Sequence, residues 1–507
     1  MCVSRGILGP VIVGLDLTSG AVIWQLELEA LRGVQNLPSD PSFSRIIVLG
    51  RRTVAIVLTV GRDTFLFRID VDDVNTHERT LSWAEADLTL TGYNCKSVFS
   101  TTEDGSNVLY LIVADSSFKS FFAVRHPQSS SAPSSSLPSR SFYLTDILGK
   151  VQTYKIGAAV RSSPPSSHQL LKVTEVASAA FESNSEMIVS VTDPIPGDPL
   201  NSRQTTLGDD SLLLKYLNTH TALIATVSPP EAAQPYYNPK DDEEASNLKV
   251  HLTLLDTVSA KVIYRTSLDS AAAPVHALLV ENTIIVTYWN AKAKRCELSS
   301  IALYEGMIDR YGLTPFASKQ SAAATTALSS RNNFSAYSSF GPLAMQKTFV
   351  LPKTVTAIQH TTTSQGIANK NVLLGFASGQ VYSLDTRQIS PRRPSSEPSI
   401  AEREEGLAMY HPFILLQPQA TVTYNYELGR GPRGIVSAPA RLESSSLVFS
   451  FGKPDIHFSR VNPSGGFDLL ASDFNHEMLV ALLLLLAAIV YVLRSLSRSL
   501  AMKQAWV

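Results

Sequence analysis

Cysteine is nearly missing: Cys2, Cys95 and Cys296 are the whole supply in 507 residues. Odd in number and scattered, they supply neither a paired-cysteine metal site nor a disulfide framework. Net charge is nearly missing too, with 43 Lys plus Arg against 44 Asp plus Glu. Binding phosphates takes a concentrated basic face, so nucleic acid is excluded as a main partner. The one local basic cluster, Pro391-Arg-Arg-Pro394, is too short to change that. Paired histidines are lacking, since no two stand closer than His457 and His476. HExxH and related metal motifs are therefore absent, as are G-x-S-x-G and Walker sequences. Gly429-Arg-Gly-Pro-Arg-Gly434 matches G-x-G-x-x-G in letters only, because Pro432 and Pro439 deny it the helix that holds a pyrophosphate. Asp72-Asp73 and Asp241-Asp242-Glu243-Glu244 fall in turn-prone stretches, where solvated charge accounts for them better than acid–base work. The sequence thus predicts no catalytic residue, no metal and no cofactor.

What is present is a long apolar run. Met478 to Leu493 carries no charge, Gly or Pro, and Tyr491 is its only polar residue. Leu496 and Leu500 continue the apolar face, and Arg494 and Arg498 can snorkel to the headgroups. A membrane span is expected over 474–496; the alternative is a buried helix of a soluble domain. Upstream lie Asp468, Asp473 and Glu477, with no Lys or Arg after Arg460; downstream lie Arg494, Arg498 and Lys503, with no acid. The positive-inside rule then puts the body on the non-cytoplasmic side and the tail 497–507 in the cytoplasm, a type I arrangement. Such a body needs a signal peptide. Met1 to Pro10 makes a poor one, so the chain is expected to be the C-terminal part of a longer protein.

The body reads as β structure. Val11 to Leu28 is strand, turn and strand, with Gly20 at the turn, and a second hairpin spans Lys249 to Ser267. A third runs from Asn371 to Leu384 around Gly379. Further strands are expected at Pro274 to Thr287, Arg295 to Leu303, Gln346 to Leu351, Thr421 to Tyr426 and Leu447 to Phe451. Short, regularly spaced strands mean a sandwich or a propeller, and the repeated Gly turns favour the propeller, whether closed or incomplete. The expected division is a propeller-like region 1–387 with disordered insertions at 126–140, 192–215, 228–247 and 314–340. A linker 388–407 and last β segments with a juxtamembrane stretch 408–473 follow. The insertion 314–340 contains the sequon Asn333-Phe-Ser335, a candidate glycosylation site.

Asp16, Gly20 and Trp24 resemble the outer hairpin of quinoprotein-like propeller blades, with Trp24 placed to pack between neighbouring sheets. A quinone-dependent dehydrogenase would need metal-binding acids and vicinal cysteines, which the solitary cysteines do not supply. More specific are Tyr288-Trp289-Asn290 with Arg295, then Leu303-Tyr304-Glu305-Gly306. Arg392 and Arg393, Arg433-Gly434 through Pro439, Glu443 and Trp506 follow in order. Together these resemble subunit 1 of the endoplasmic reticulum membrane protein complex, over about 230 residues. The resemblance implies a non-catalytic lumenal scaffold of a membrane insertase that works without ATP on tail-anchored and multi-spanning clients. Its partners would be the other subunits, client proteins and the lipid bilayer. The alternative is a tethered lumenal enzyme or ligand-binding propeller that acts alone.

Overall fold

The computed structural model describes residues 2–5, 10–15, 22–28, 43–48, 53–60, 63–70, 78–81, 86–103, 106–115, 121–126, 141–145, 150–160, 170–181, 185–195, 198–200, 202–239, 241–308, 341–429, 431–452, 455–468 and 475–505. Asp16, Gly20, Asn333 and Trp506 lie outside them, as do the insertions at 127–140 and 314–340.

Alternating apolar and polar residues with frequent Val, Ile and Thr give strands of opposite-facing side chains. Among the described residues they form seven sheets. The first joins Cys2–Arg5, Pro10–Leu15 and Val22–Leu28, with Glu78–Leu81 added in parallel. Phe43–Val48, Thr53–Val60, Asp63–Asp70 and Leu88–Leu90 make the second. The third has six strands within 93–180, and the fourth joins Met187–Thr192, Thr221–Ser228, Lys249–Asp256 and Val262–Asp269. In the fifth, Ala271–Val280, Thr283–Asn290 and Arg295–Ile308 run in order, and the last also takes Leu212–Lys215 and Leu343–Leu351. Val355–His360, Val372–Phe376 and Val381–Leu384 form the sixth sheet; Gly434–Pro439, Ser446–Phe451 and Ile456–Val461 form the seventh.

The first strands of the fourth to seventh sheets lie side by side in succession. Sheets that share an inner edge in this way are propeller blades. The cores sit between consecutive blades. Leu223, Leu252, Leu279 and Ile284 join the fourth and fifth; Leu298, Phe349, Leu374 and Phe376 join the fifth and sixth; Leu373, Ile435 and Val448 join the sixth and seventh. Each such side chain contributes roughly 1.5–3 kcal/mol by leaving water. Cys296 is a free thiol in the layer between the fifth and sixth blades and Cys95 one in the core between the second and third sheets, and burial pushes Cys95 up to about 12 and Cys296 to about 11.

Several expectations are corrected. The insertion 192–215 contains the strands Gln204–Thr206 and Leu212–Lys215, because a short apolar Leu run finds an edge on Arg295–Ile308. At 228–247 the acidic stretch folds into a 3₁₀ turn Pro230–Ala233 and a helix Asp242–Asn247, with Ala232, Ala245 and Leu248 buried. The Tyr237 hydroxyl donates to Glu244 Oε1 at 2.6 Å and ties the loop together. Linker 388–407 holds the helix Ile400–Glu404, started by a Ser399/Glu402 capping box and ended by Gly406 at φ +76°. Thr421 to Tyr426 is a turn, since Tyr424 takes φ +50°. The C-terminal helix runs from His476 to Ala505, well past 496, because nothing in the tail breaks it. It is long and apolar enough to cross a membrane over His476–Ser499, and residues 475–498 are exposed along their length.

Candidate functional site

An ionic chain crosses the inner rim of the fourth, fifth and sixth blades. Lys215 Nζ donates to Glu281 Oε2 at 2.6 Å, and Lys370 Nζ stands 3.7 Å from Glu281 Oε1. Lys370 also bonds Asp198 Oδ2, which faces His360 Nε2 at 3.2 Å. The fifth and sixth blades deliver their parts at or beside strand ends, and Asp198 comes from the loop after Met187–Thr192. Glu281 sits in the tight turn after Ala271–Val280 at φ +51°, Lys215 and His360 end their strands, and Lys370 precedes Val372–Phe376. Burial alone would raise the Asp198 carboxyl, but the His360 and Lys370 bonds and charges outweigh it and hold the group below the ordinary carboxylate range. Removing one partner of a buried pair strands the other, so the chain acts as a clamp between blades. Two cavities of about 350 and 340 Å³ flank it and share Glu281.

A second hub is Glu297, opposite Tyr288 in the hairpin register. Its Oε2 accepts from Tyr288 Oη at 2.9 Å and Asn290 Nδ2 at 3.1 Å, and its Oε1 from Arg295 Nε at 2.8 Å. Burial, and then the Glu297 charge, push the Tyr288 phenol well up. Tyr236 meets Trp289 edge-on at 5.4 Å. Among the described residues no group of three His, Cys, Asp or Glu side chains is placed to hold a metal ion.

The family model described as "ER membrane protein complex subunit 1, second beta-propeller" matches residues 10–464. The chain belongs to the ER membrane protein complex subunit 1 family. The Xenopus laevis member is 28% identical over 366 residues, which is 72% of this chain and 33% of that protein. The Schizosaccharomyces pombe member is 26% identical over 255 residues, 49% of this chain and 27% of the other. The Saccharomyces cerevisiae member is 23% identical over 521 residues, covering 97% and 59% respectively. The chain thus spans about a third of its frog relative.

The other residues read as subunit 1 motifs also carry internal bonds. Arg392 Nη2 donates to Glu405 Oε2 at 2.5 Å, and Glu405 Oε1 accepts the Gly208 amide at 3.0 Å. Arg393 donates to the carbonyls of Gln388, Ala408 and Met409, which laces the 388–409 segment together. Glu443 gathers the Ser364 hydroxyl and the Gln365 and Ile367 amides at 2.7–2.8 Å. Burial would raise it, but these bonds outweigh that and hold it at about 2. Tyr304 is buried, and Gly306 pairs with Leu214; burial raises the Glu305 carboxyl, with Arg203 opposing. The Arg433 amide donates to Phe451 O at 2.8 Å, and the Phe451 ring fills the space that a Gly434 side chain would need. Pro439 pairs with Ser446 at the sheet edge, and the backbone of Trp24 lies opposite Gly14. Arg494 and Arg498 are exposed on the C-terminal helix, which includes Lys503. The sequence reading missed Glu297, Asp198, His360, Lys370 and Glu281. Only Glu297 had a local signal, as the residue that mirrors Tyr288 across the hairpin.

Proposed function

We propose that this chain is a non-catalytic scaffold subunit of the ER membrane protein complex. It supports insertion of tail-anchored and multi-spanning clients without ATP. On this reading the blades lie in the lumen, one helix spans the ER membrane, and the tail after the span is cytoplasmic. Other subunits, clients and lipid are the partners.

The observation that carries the reading is the C-terminal helix. Its apolar length is exposed throughout, and a surface of that kind needs lipid or partner helices to cover it. Family membership names the complex, and two further features fit a scaffold. The Arg, Glu and Tyr residues read as motifs serve bonds within and between segments, as a rigid frame requires. Leu and Val dominate the span, so it suits packing against partners better than lining a polar path. Affinity purification of the full chain from solubilised membranes tests this. Stoichiometric co-elution with several multi-spanning proteins is expected; a solitary chain with its own activity would favour the tethered enzyme or ligand-binding propeller.

A further inference from the structure

The larger of the two rim cavities, about 350 Å³, lies between the fifth and sixth blades and the 386–407 segment. It is near the lower end of the size range of small-ligand sites. Its charges are balanced only with the help of carboxylates behind the wall: Lys215 and Lys370 face Glu281 and Arg392 faces Glu405 within the lining, while Asp198 and Asp385, outside it, pair with Lys370 and Arg387. A balanced wall gives a free anion or cation little net attraction.

Hydrogen-bonding capacity is nevertheless left over. An ammonium has three donors and a guanidinium five, whereas among the described residues the Lys215 ammonium bonds Glu281 alone and the Arg392 guanidinium Glu405 alone. Each Glu405 oxygen accepts one bond, from Gly208 or Arg392, and keeps a second lone pair. Ser300 lines the same cavity, is 1% exposed, and its hydroxyl has no hydrogen-bond partner among the described residues. Tyr304 adds an aromatic side chain to that wall.

Neutral walls, donors and acceptors side by side, and an aromatic ring suit a ligand whose own groups both donate and accept and whose C–H face is apolar. We propose that this cavity binds a neutral polyhydroxylated ring of monosaccharide size. Vicinal hydroxyls would bridge the Arg392–Glu405 and Lys215–Glu281 pairs, and Ser300 would take another. The site is independent of the scaffold reading, and either can fail without the other.

The test uses the full chain in lipid nanodiscs prepared without glycoside detergents, which themselves carry sugar rings. Glucose, mannose and N-acetylglucosamine are titrated by saturation-transfer NMR, with inorganic phosphate as the anion probe. Saturable binding of at least one sugar and none of phosphate is expected. Glu405→Gln should weaken it roughly tenfold, the loss of one charge-assisted bond. Ser300→Ala, a milder change checked for an unaltered unfolding midpoint, should weaken it roughly threefold. No saturable sugar binding, binding unchanged in both variants, or a preference for phosphate would each overturn the proposal.

Discussion

Tyr288 and Glu297 face each other across one hairpin, joined by a 2.9 Å hydrogen bond between two residues that are each about 95% buried. Asn290 and Arg295 complete the carboxylate's bonding. Glu297→Ala should therefore leave a buried phenol and amide without partners and lower stability by about 2 kcal/mol. Glu297→Gln, which keeps an acceptor for Tyr288, should cost less. Thermal unfolding of the purified chain checks the order.

Glu443 supplies a pH-dependent contribution whose sign is set by its depressed carboxyl. Ordinary at 4.5 and about 2 in the fold, it adds stability that is complete above 4.5. That stability is lost as pH falls toward 2, because the unfolded chain takes up the proton first. Wild type should exceed Glu443→Gln in unfolding midpoint at pH 6, and the gap should close progressively below pH 4.5. A gap that persists at pH 2 would contradict the assignment.

Local chemistry made some of this legible in the sequence. The turn at Asp256 to Ser259 and the one at Gly379 follow from short polar side chains and a positive φ, and both hairpins lie where alternation puts them. The capping box at Ser399 and Glu402 was equally local, but the surrounding Pro and Ser masked it. The ionic chain was not legible. Asp198, Glu281 and Lys370 lie in turns or loops far apart in sequence, and only the radial arrangement of blades brings them together. The strand Leu212–Lys215 was missed for the same reason, since its partner Arg295–Ile308 is some 90 residues away, and Gln204–Thr206 is placed only through its pairing with Leu212–Lys215. The 3.6-residue pattern of the C-terminal helix gave no stopping point, and apolarity alone marked the span's end rather than the helix's.

Gly379 should tolerate no side chain. It holds φ +91° in the third hairpin, and an added methyl would lie 2.5 Å from the Leu428 carbonyl oxygen. Gly379→Ala should destabilise by about 2 kcal/mol from the backbone conformation alone, and more from the clash. Hydrogen exchange should show the loss first at Val372–Phe376 and Val381–Leu384.

Arg494 and Arg498 are the charges just beyond the apolar stretch. Arg494→Glu combined with Arg498→Glu removes the positive bias of that flank and should reduce correctly oriented, complex-associated chain. Fractionation and co-purification read this out. Unchanged integration and assembly would show that these charges do not set direction.

Protease protection in sealed ER microsomes puts the central claim at most risk. If the blades are lumenal and held by one helix, external protease should trim only the short segment after Arg494, and the rest should survive until detergent opens the vesicles. Digestion of the blades in intact vesicles would place them in the cytosol and contradict the account.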